Sequence, residues 1–189
     1  HMSNVTFSMK DNSMEVHKNN VEPWKVTLID TGENTMTGGR LKRVREYIKD
    51  EEAFCFTYGD GIGDINISAL IKFHKGHGKQ ATLTATLPPG RYGALKLGPK
   101  NIIENFKEKP EGDDSWINGG FFVLNPCVID LIKDDQTIWE KEPLNALSKN
   151  KELYAFKHNG FWQPMDTLSE KRILNELWEK GNAPWKTWK

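Results

Sequence analysis

Two aspartates occupy places from which they could do chemistry as a pair. Asp60 lies in Tyr58-Gly59-Asp60-Gly61, directly after the apolar run at 53–58. In open α/β sheets, ligands gather beyond the carboxyl ends of strands. Flanking glycines let a ligand or ion come close to the backbone, although Asp and Gly equally suit a plain strand-to-helix turn. Asp166 lies in Gly160-Phe161-Trp162-Gln163-Pro164-Met165-Asp166-Thr167, just ahead of a helical pattern. It either caps that helix or joins Asp60, because two carboxylates with substrate phosphate oxygens form a donor set that suits Mg2+.

Three further segments carry polar groups with a possible ligand. Lys109, in Glu108-Lys109-Pro110, is a natural phosphate contact, or else one solvated lysine in a lysine-rich chain. Asn118-Gly119-Gly120 enters a strand through two glycines, as a close-packed sugar or base would need, or as a β-bulge would. Thr35-Met36-Thr37-Gly38-Gly39-Arg40 precedes a helical pattern and has the composition of an anion- or base-binding turn, without the GxxxxGKS or GxGxxG spacing. His74 and His77 share a helix end with no third ligand in sequence, which argues against a metal there.

The elements that must hold these groups alternate between strand and helix periods. Residues 4–9 and 14–18 alternate, with the turn cluster Asp11-Asn12-Ser13 between them, and 24–30 reads as another extended run. Leu41, Val44 and Ile48 have helical spacing. Residues 53–58, apolar on both faces, read as a buried strand of a parallel sheet. A helix follows over Ile67, Leu70, Ile71 and His74, closed by Gly76 and Gly78, and then a strand at 81–87. Residues 92–106 read as antiparallel excursions about Gly98-Pro99. Residues 119–124 read as a central strand, 128–132 as a short helix, and 137–147 as a helix kinked at Pro143. A strand at 153–158 and a helix at 167–180 complete the pattern. Strand, helix, strand predicts a crossover connection and an α/β sheet.

Composition narrows the classes. The 189 residues carry 26 Lys plus Arg and 26 Asp plus Glu, a formal net charge of zero, which argues against a nucleic-acid binder relying on a broad basic face. Hydrophobic residues are 37% and seven residues are Trp, too much apolar surface for a disordered chain. Cys55 and Cys127 lie in apolar runs with no CxxC partner, so two buried thiols and a reducing, cytoplasmic setting are expected. No apolar run reaches membrane-spanning length.

Taken together, VEPWKVTLIDTG, MTGGRLKRV, FTYGDGI, ATLTATLPPGRYGAL, FKEKP, INGGFFVLNP and GFWQPMDTL resemble the sugar-nucleotide pyrophosphorylases, and within them the cytidylyl branch. WEKGNAPWKTW is similar to that branch's closing segment. The resemblance implies one nucleotidyltransferase domain over 1–189, with a Rossmann-like mixed α/β sheet between helices and an active site at the strand ends. It implies Asp60 and Asp166 as Mg2+ ligands, and Lys109 with Glu108 on the sugar phosphate. It places Gly93, Asn118 and Gly119 along the sugar, counts Gly59 among the substrate-binding residues, and has Met36, Thr37, Gly39 and Arg40 facing the base.

The implied reaction is in-line attack by glucose 1-phosphate on the α-phosphorus of CTP. A uridylyl or thymidylyl transfer on the same fold, or a catalytically inactive sugar-phosphate-binding or assembly module, are the alternatives. Substrates would be small molecules, with no nucleic acid and no membrane, and the family resemblance implies a homo-oligomer. The family's glycine-rich GGxGTR loop does not occur in the 189 residues. The chain is therefore expected to lack the N-terminal part of such an enzyme and to be inactive by itself.

Overall fold

The computed structural model describes residues 4–17, 24–88, 94–97, 103–107 and 116–188, with the backbone alone for 94–97 and 103–107. The chain divides into two compact units, 1–30 and 31–189.

In the first unit, β1 (Val5–Ser8) and β2 (Ser13–Val16) pair antiparallel, with Val5 opposite Val16 and Phe7 opposite Met14. Asn12 takes φ 50° in the connecting turn, a region that Asn tolerates better than most residues. The expected strand at 24–30 does not form. Trp24, Val26 and Leu28 are exposed, and no described strand pairs with them. Their alternation supplies a strand-like pattern but no ladder partner.

The second unit is built on a four-stranded mixed sheet in the order β3–β8–β5–β9. These strands are β3 (Phe54–Thr57), β5 (Ala81–Thr86), β8 (Ile117–Leu124) and β9 (Leu153–His158). β8 runs antiparallel to both β3 and β5, and β5 runs parallel to β9. β3 and β5 therefore point the same way, as the strand–helix–strand pattern predicts, with β8 inserted between them. The expectation that 53–58 is a buried strand of a parallel sheet is corrected. β3 is an edge strand with an antiparallel neighbour, and Cys55 and Thr57 face solvent. An apolar run reports what a strand can bury, not how many neighbours it receives.

Each face of β8 feeds a separate core. Phe122 and Leu124 pack with Leu41, Val128, Ile129, Ile132, Trp139 and Leu147. Phe121 and Val123 pack with Ile65, Leu70 and Phe156. The first face is covered by α1 (Thr37–Arg43), the 3₁₀ turn Pro126–Leu131 and α3 (Glu142–Lys149). The second is covered by α2 (Ile67–His77). Helix α2 begins at an Asn66 side-chain cap and stops at Gly78 in the left-handed conformation. The helix expected around Leu41, Val44 and Ile48 ends early at Arg43 and continues as a 3₁₀ turn, Arg45–Tyr47. Pro143 does not kink a helix but starts one, in the first turn of α3, where its missing N–H costs nothing.

Three short features complete the unit. β6 (Ala94–Leu97) and β7 (Ile103–Lys107) form the expected antiparallel pair. β4 (Gly61–Gly63) pairs antiparallel with β10 (Trp162–Pro164). α4 (Leu168–Glu179) opens with a capping box between Thr167 and Glu170. Cys55 and Cys127 are exposed free thiols, correcting the expectation of burial, and partial desolvation still pushes both thiols up from their usual range.

Candidate active site

Asp60 and Asp166, distant in sequence, flank the same short ladder, Asp60 just before β4 and Asp166 two residues after β10. β4 and β10 pair through Gly61↔Pro164, Ile62↔Gln163 and Gly63↔Trp162. One step beyond this ladder the Met165 amide donates to the Asp60 carbonyl at 2.8 Å. Both aspartates are solvent-facing. Asp166 is not the N-cap of α4. Thr167 takes that place, and the Asp166 amide donates to Glu170 Oε2 at 3.0 Å.

The glycines on either side of Asp60 differ in purpose. A methyl group on Gly59 would meet nothing within 4 Å, so the space beside Asp60 is open. Gly61 instead lies against the Gly119 carbonyl and the Trp162 indole, each 3.8 Å from where its Cβ would stand.

Asn118, Gly119 and Gly120 form a bulge. Register with β5 jumps here, from Leu83↔Phe122 to Ala85↔Asn118. Gly120 takes φ 78°, and a Cβ on it would stand 2.7 Å from the Tyr58 ring, so both its conformation and its neighbour require glycine. The Asn118 side-chain carbonyl accepts from the Gly120 amide at 2.9 Å and closes the turn. The Trp162 indole N–H donates to the Gly119 carbonyl at 2.8 Å, joining the bulge to β10.

The segment at 35–40 is tied down by the loop at 135–140. The Met36 amide donates to the Asp135 carbonyl, and those of Gly38 and Gly39 donate to the Thr137 carbonyl. Gly39 has no room for a Cβ, which would stand 2.5 Å from the Asp135 carbonyl oxygen. These amides are spent within the protein, so an anion-cradling turn is not what the backbone here provides. Arg40 folds back, donating to Thr31 Oγ1 at 2.7 Å and to the Glu33 carbonyl at 3.1 Å. Met36 and Thr37 are exposed.

Sequence reasoning gave Tyr58, Glu140 and Trp162 no role. The Glu140 carboxylate accepts from the Tyr58 hydroxyl through one oxygen and from the Thr37 hydroxyl, at 2.8 Å, through the other. Asn118 Nδ2 stands 3.5 Å from the Tyr58 hydroxyl oxygen. Burial, then the Glu140 carboxylate, push the Tyr58 phenol far above its usual range, so it remains a donor. Tyr58 was in view beside Asp60, but nothing in sequence links it to a glutamate 82 positions away. Lys109, Glu108 and Gly93 lie outside the described residues.

A mixed sheet flanked by helices is the α/β fold of nucleotide-sugar transferases. The chain belongs to the nucleotidyl transferase family, whose sequence pattern matches residues 4–170. It is 65% identical over 188 residues to the glucose-1-phosphate cytidylyltransferase of Salmonella typhi, covering 100% of this chain and 73% of that protein. Identity with the probable glucose-1-phosphate cytidylyltransferase of Bacillus subtilis is 41% over 168 residues, covering 88% of this chain and 65% of that one. Among solved structures, HddC from Yersinia pseudotuberculosis matches with a TM-score of 0.56 at 20% identity. That match covers 77% of this chain and 64% of HddC, and shows the shared fold.

Proposed function

We propose that this chain carries the transfer of a cytidylyl group from CTP to glucose 1-phosphate, forming CDP-glucose and pyrophosphate. The observation that carries the reading is its 65% identity, over its whole length, with two Salmonella proteins of that name. The site geometry supports the reaction class. Transfers at phosphorus ask little covalent work of the protein, so placing the two substrates and neutralising charge carry the rate.

The donors present fit Mg2+. Asp60 and Asp166 are hard oxygen donors on adjoining, hydrogen-bonded backbone, and Mg2+ needs only one or two carboxylates beside substrate phosphates. Among the described residues no group of three His, Cys, Asp or Glu forms a closed protein cage. Asp60 and Asp166 would hold the ion, which when bound neutralises phosphate oxygens. Open space at Gly59 leaves room for a phosphate against the Asp60 turn.

In this reading Gly93, Asn118 and Gly119 line the sugar, with Glu108 and Lys109 at the sugar phosphate. Thr37 and Met36, with Gly39 and Arg40 behind them, face the base. No helix among the described residues is long and apolar enough to cross a membrane. A cytoplasmic homo-oligomer acting on small molecules is part of the same reading.

The test is direct. This chain joined to the family's glycine-rich GGxGTR segment, CTP, glucose 1-phosphate and Mg2+ are incubated together, and pyrophosphate and CDP-glucose are measured against the same reactions with UTP and dTTP, the 189 residues alone being expected to give no product. CDP-glucose formation with CTP preferred is the expected result. Absence of product, or preference for UTP or dTTP, overturns the reading.

A further inference from the structure

We propose that Glu140 is a positioning residue that sets the Thr37 segment and the Tyr58–Asp60 turn in one fixed relation. The kinetic part of this inference rests on the cytidylyl-transfer reading above, and the structural part does not. An ionised carboxylate only accepts hydrogen bonds. Here each of its oxygens takes one hydroxyl, Tyr58 on one side and Thr37 on the other.

Both donors are themselves held. The Tyr58 ring is packed against Gly120, where a Cβ would stand 2.7 Å from it. It also makes edge contacts with Phe56 and Phe122 at 5.7 and 5.8 Å between centroids. Thr37 Oγ1 accepts the Trp139 amide at 3.0 Å, which leaves its proton for Glu140. Glu140 in turn follows Trp139, whose side chain is fully buried in the core. The carboxylate therefore projects from a rigid anchor toward two constrained hydroxyls.

The consequence reaches both aspartates. Tyr58 leads through Gly59 to Asp60, whose carbonyl takes the Met165 amide beside Asp166. One chain of contacts thus runs Thr37, Glu140, Tyr58, Asp60, Met165. It joins the segment assigned to the base with the turn assigned to the metal. No sequence motif marks Glu140, and none of the roles given to other residues accounts for a carboxylate bridging two hydroxyls.

The test compares the protein with Glu140→Ala and with Glu140→Gln, which keeps the shape and one acceptor. Amide hydrogen exchange is followed at Gly38 and Gly39, at Met165, and at β8 core amides as a control. Loss of a hydrogen bond to a charged group corresponds to a change of about tenfold or more. Glu140→Ala should therefore speed exchange about tenfold at Gly38, Gly39 and Met165 together, with β8 unchanged, and Glu140→Gln should do so to a smaller extent. Exchange that rises only at 139–142, or uniformly through β8, overturns the inference.

In steady state, in the chain joined to the family's glycine-rich segment, Glu140→Ala should raise KM for both CTP and glucose 1-phosphate. A purely structural glutamate would lower Tm and leave both KM values alone, and that outcome also overturns the inference. If the joined chain with Glu140 unaltered makes no CDP-glucose, the functional reading fails by itself, and the exchange result still decides the role of Glu140.

Discussion

The Trp162 indole and the Gly119 carbonyl meet at 2.8 Å, at the bulge where β8 slips register against β5. This bond joins β10, which leads into Asp166, to the glycine assigned to the sugar. Trp162→Phe keeps the ring and deletes the donor. A net loss of about 1 kcal/mol is expected, or a fall in Tm of about 2–4 °C for a chain of this size. Thermal unfolding checks the stability, and KM for glucose 1-phosphate should rise in the same variant joined to the family's glycine-rich segment.

Gly120 stands at φ 78° with the Tyr58 ring at its Cα. Gly120→Ala must accept a left-handed backbone, which costs about 1–2 kcal/mol, and must also displace the ring. Urea denaturation should show a loss above about 2 kcal/mol. A smaller loss would mean that the ring moves aside easily.

The end of α2 contains a chain of histidine contacts. The Lys79 amide donates to His77 Nδ1 at 3.0 Å, leaving His77 Nε2 to donate to Thr82 Oγ1 at 2.7 Å. Thr82 Oγ1 is also hydrogen-bonded to His74 Nδ1 at 2.9 Å, and His74 Nε2 to Asn125 Oδ1 at 2.8 Å. Burial, then the charges of His74 and Lys79, lower the His77 pKa from 6.5, while Glu152 acts weakly in the opposite sense. The unfolded chain therefore binds this proton more readily than the folded one. The His77 contribution to stability is complete above about pH 6.5 and is lost as pH falls below it. Urea midpoints at pH 7.5 and 5.5 should differ in that direction, and the difference should shrink in His77→Gln.

In the chain joined to the family's glycine-rich segment, Asp60→Asn and Asp166→Asn should each abolish Mg2+-dependent turnover with the circular dichroism spectrum unchanged, because both aspartates face solvent. Pyrophosphate release measures the first effect. Turnover retained in either variant removes that aspartate from the metal site.

In the chain joined to the family's glycine-rich segment, Lys109→Ala should raise KM for glucose 1-phosphate, lower kcat, or both, with little change in KM for CTP. A charge-assisted contact to phosphate is worth about 1.5–3 kcal/mol. An effect confined to CTP would move Lys109 to the nucleotide side.

Local chemistry was legible in the 189 residues, because it depends on neighbours in the chain. The Asn12 turn between β1 and β2, the Asn66 and Gly78 ends of α2 and the antiparallel β6–β7 pair follow from residue types at short spacing. So does the placing of Asp60 and Asp166 at element ends. The family was legible too, because its segments recur with their order intact.

Tertiary structure decided whatever depends on partners far along the chain. It placed β8 between β3 and β5, made β3 an edge of the described sheet with Cys55 outside, and left 24–30 with no strand to join among the described residues. It also turned Asn118-Gly119-Gly120 into a bulge closed by Trp162, and put Glu140 between Tyr58 and Thr37. The physical reason is common to all of these. Periodicity fixes which face of an element is apolar, whereas register and pairing come from contacts between segments tens of residues apart, which no local pattern encodes.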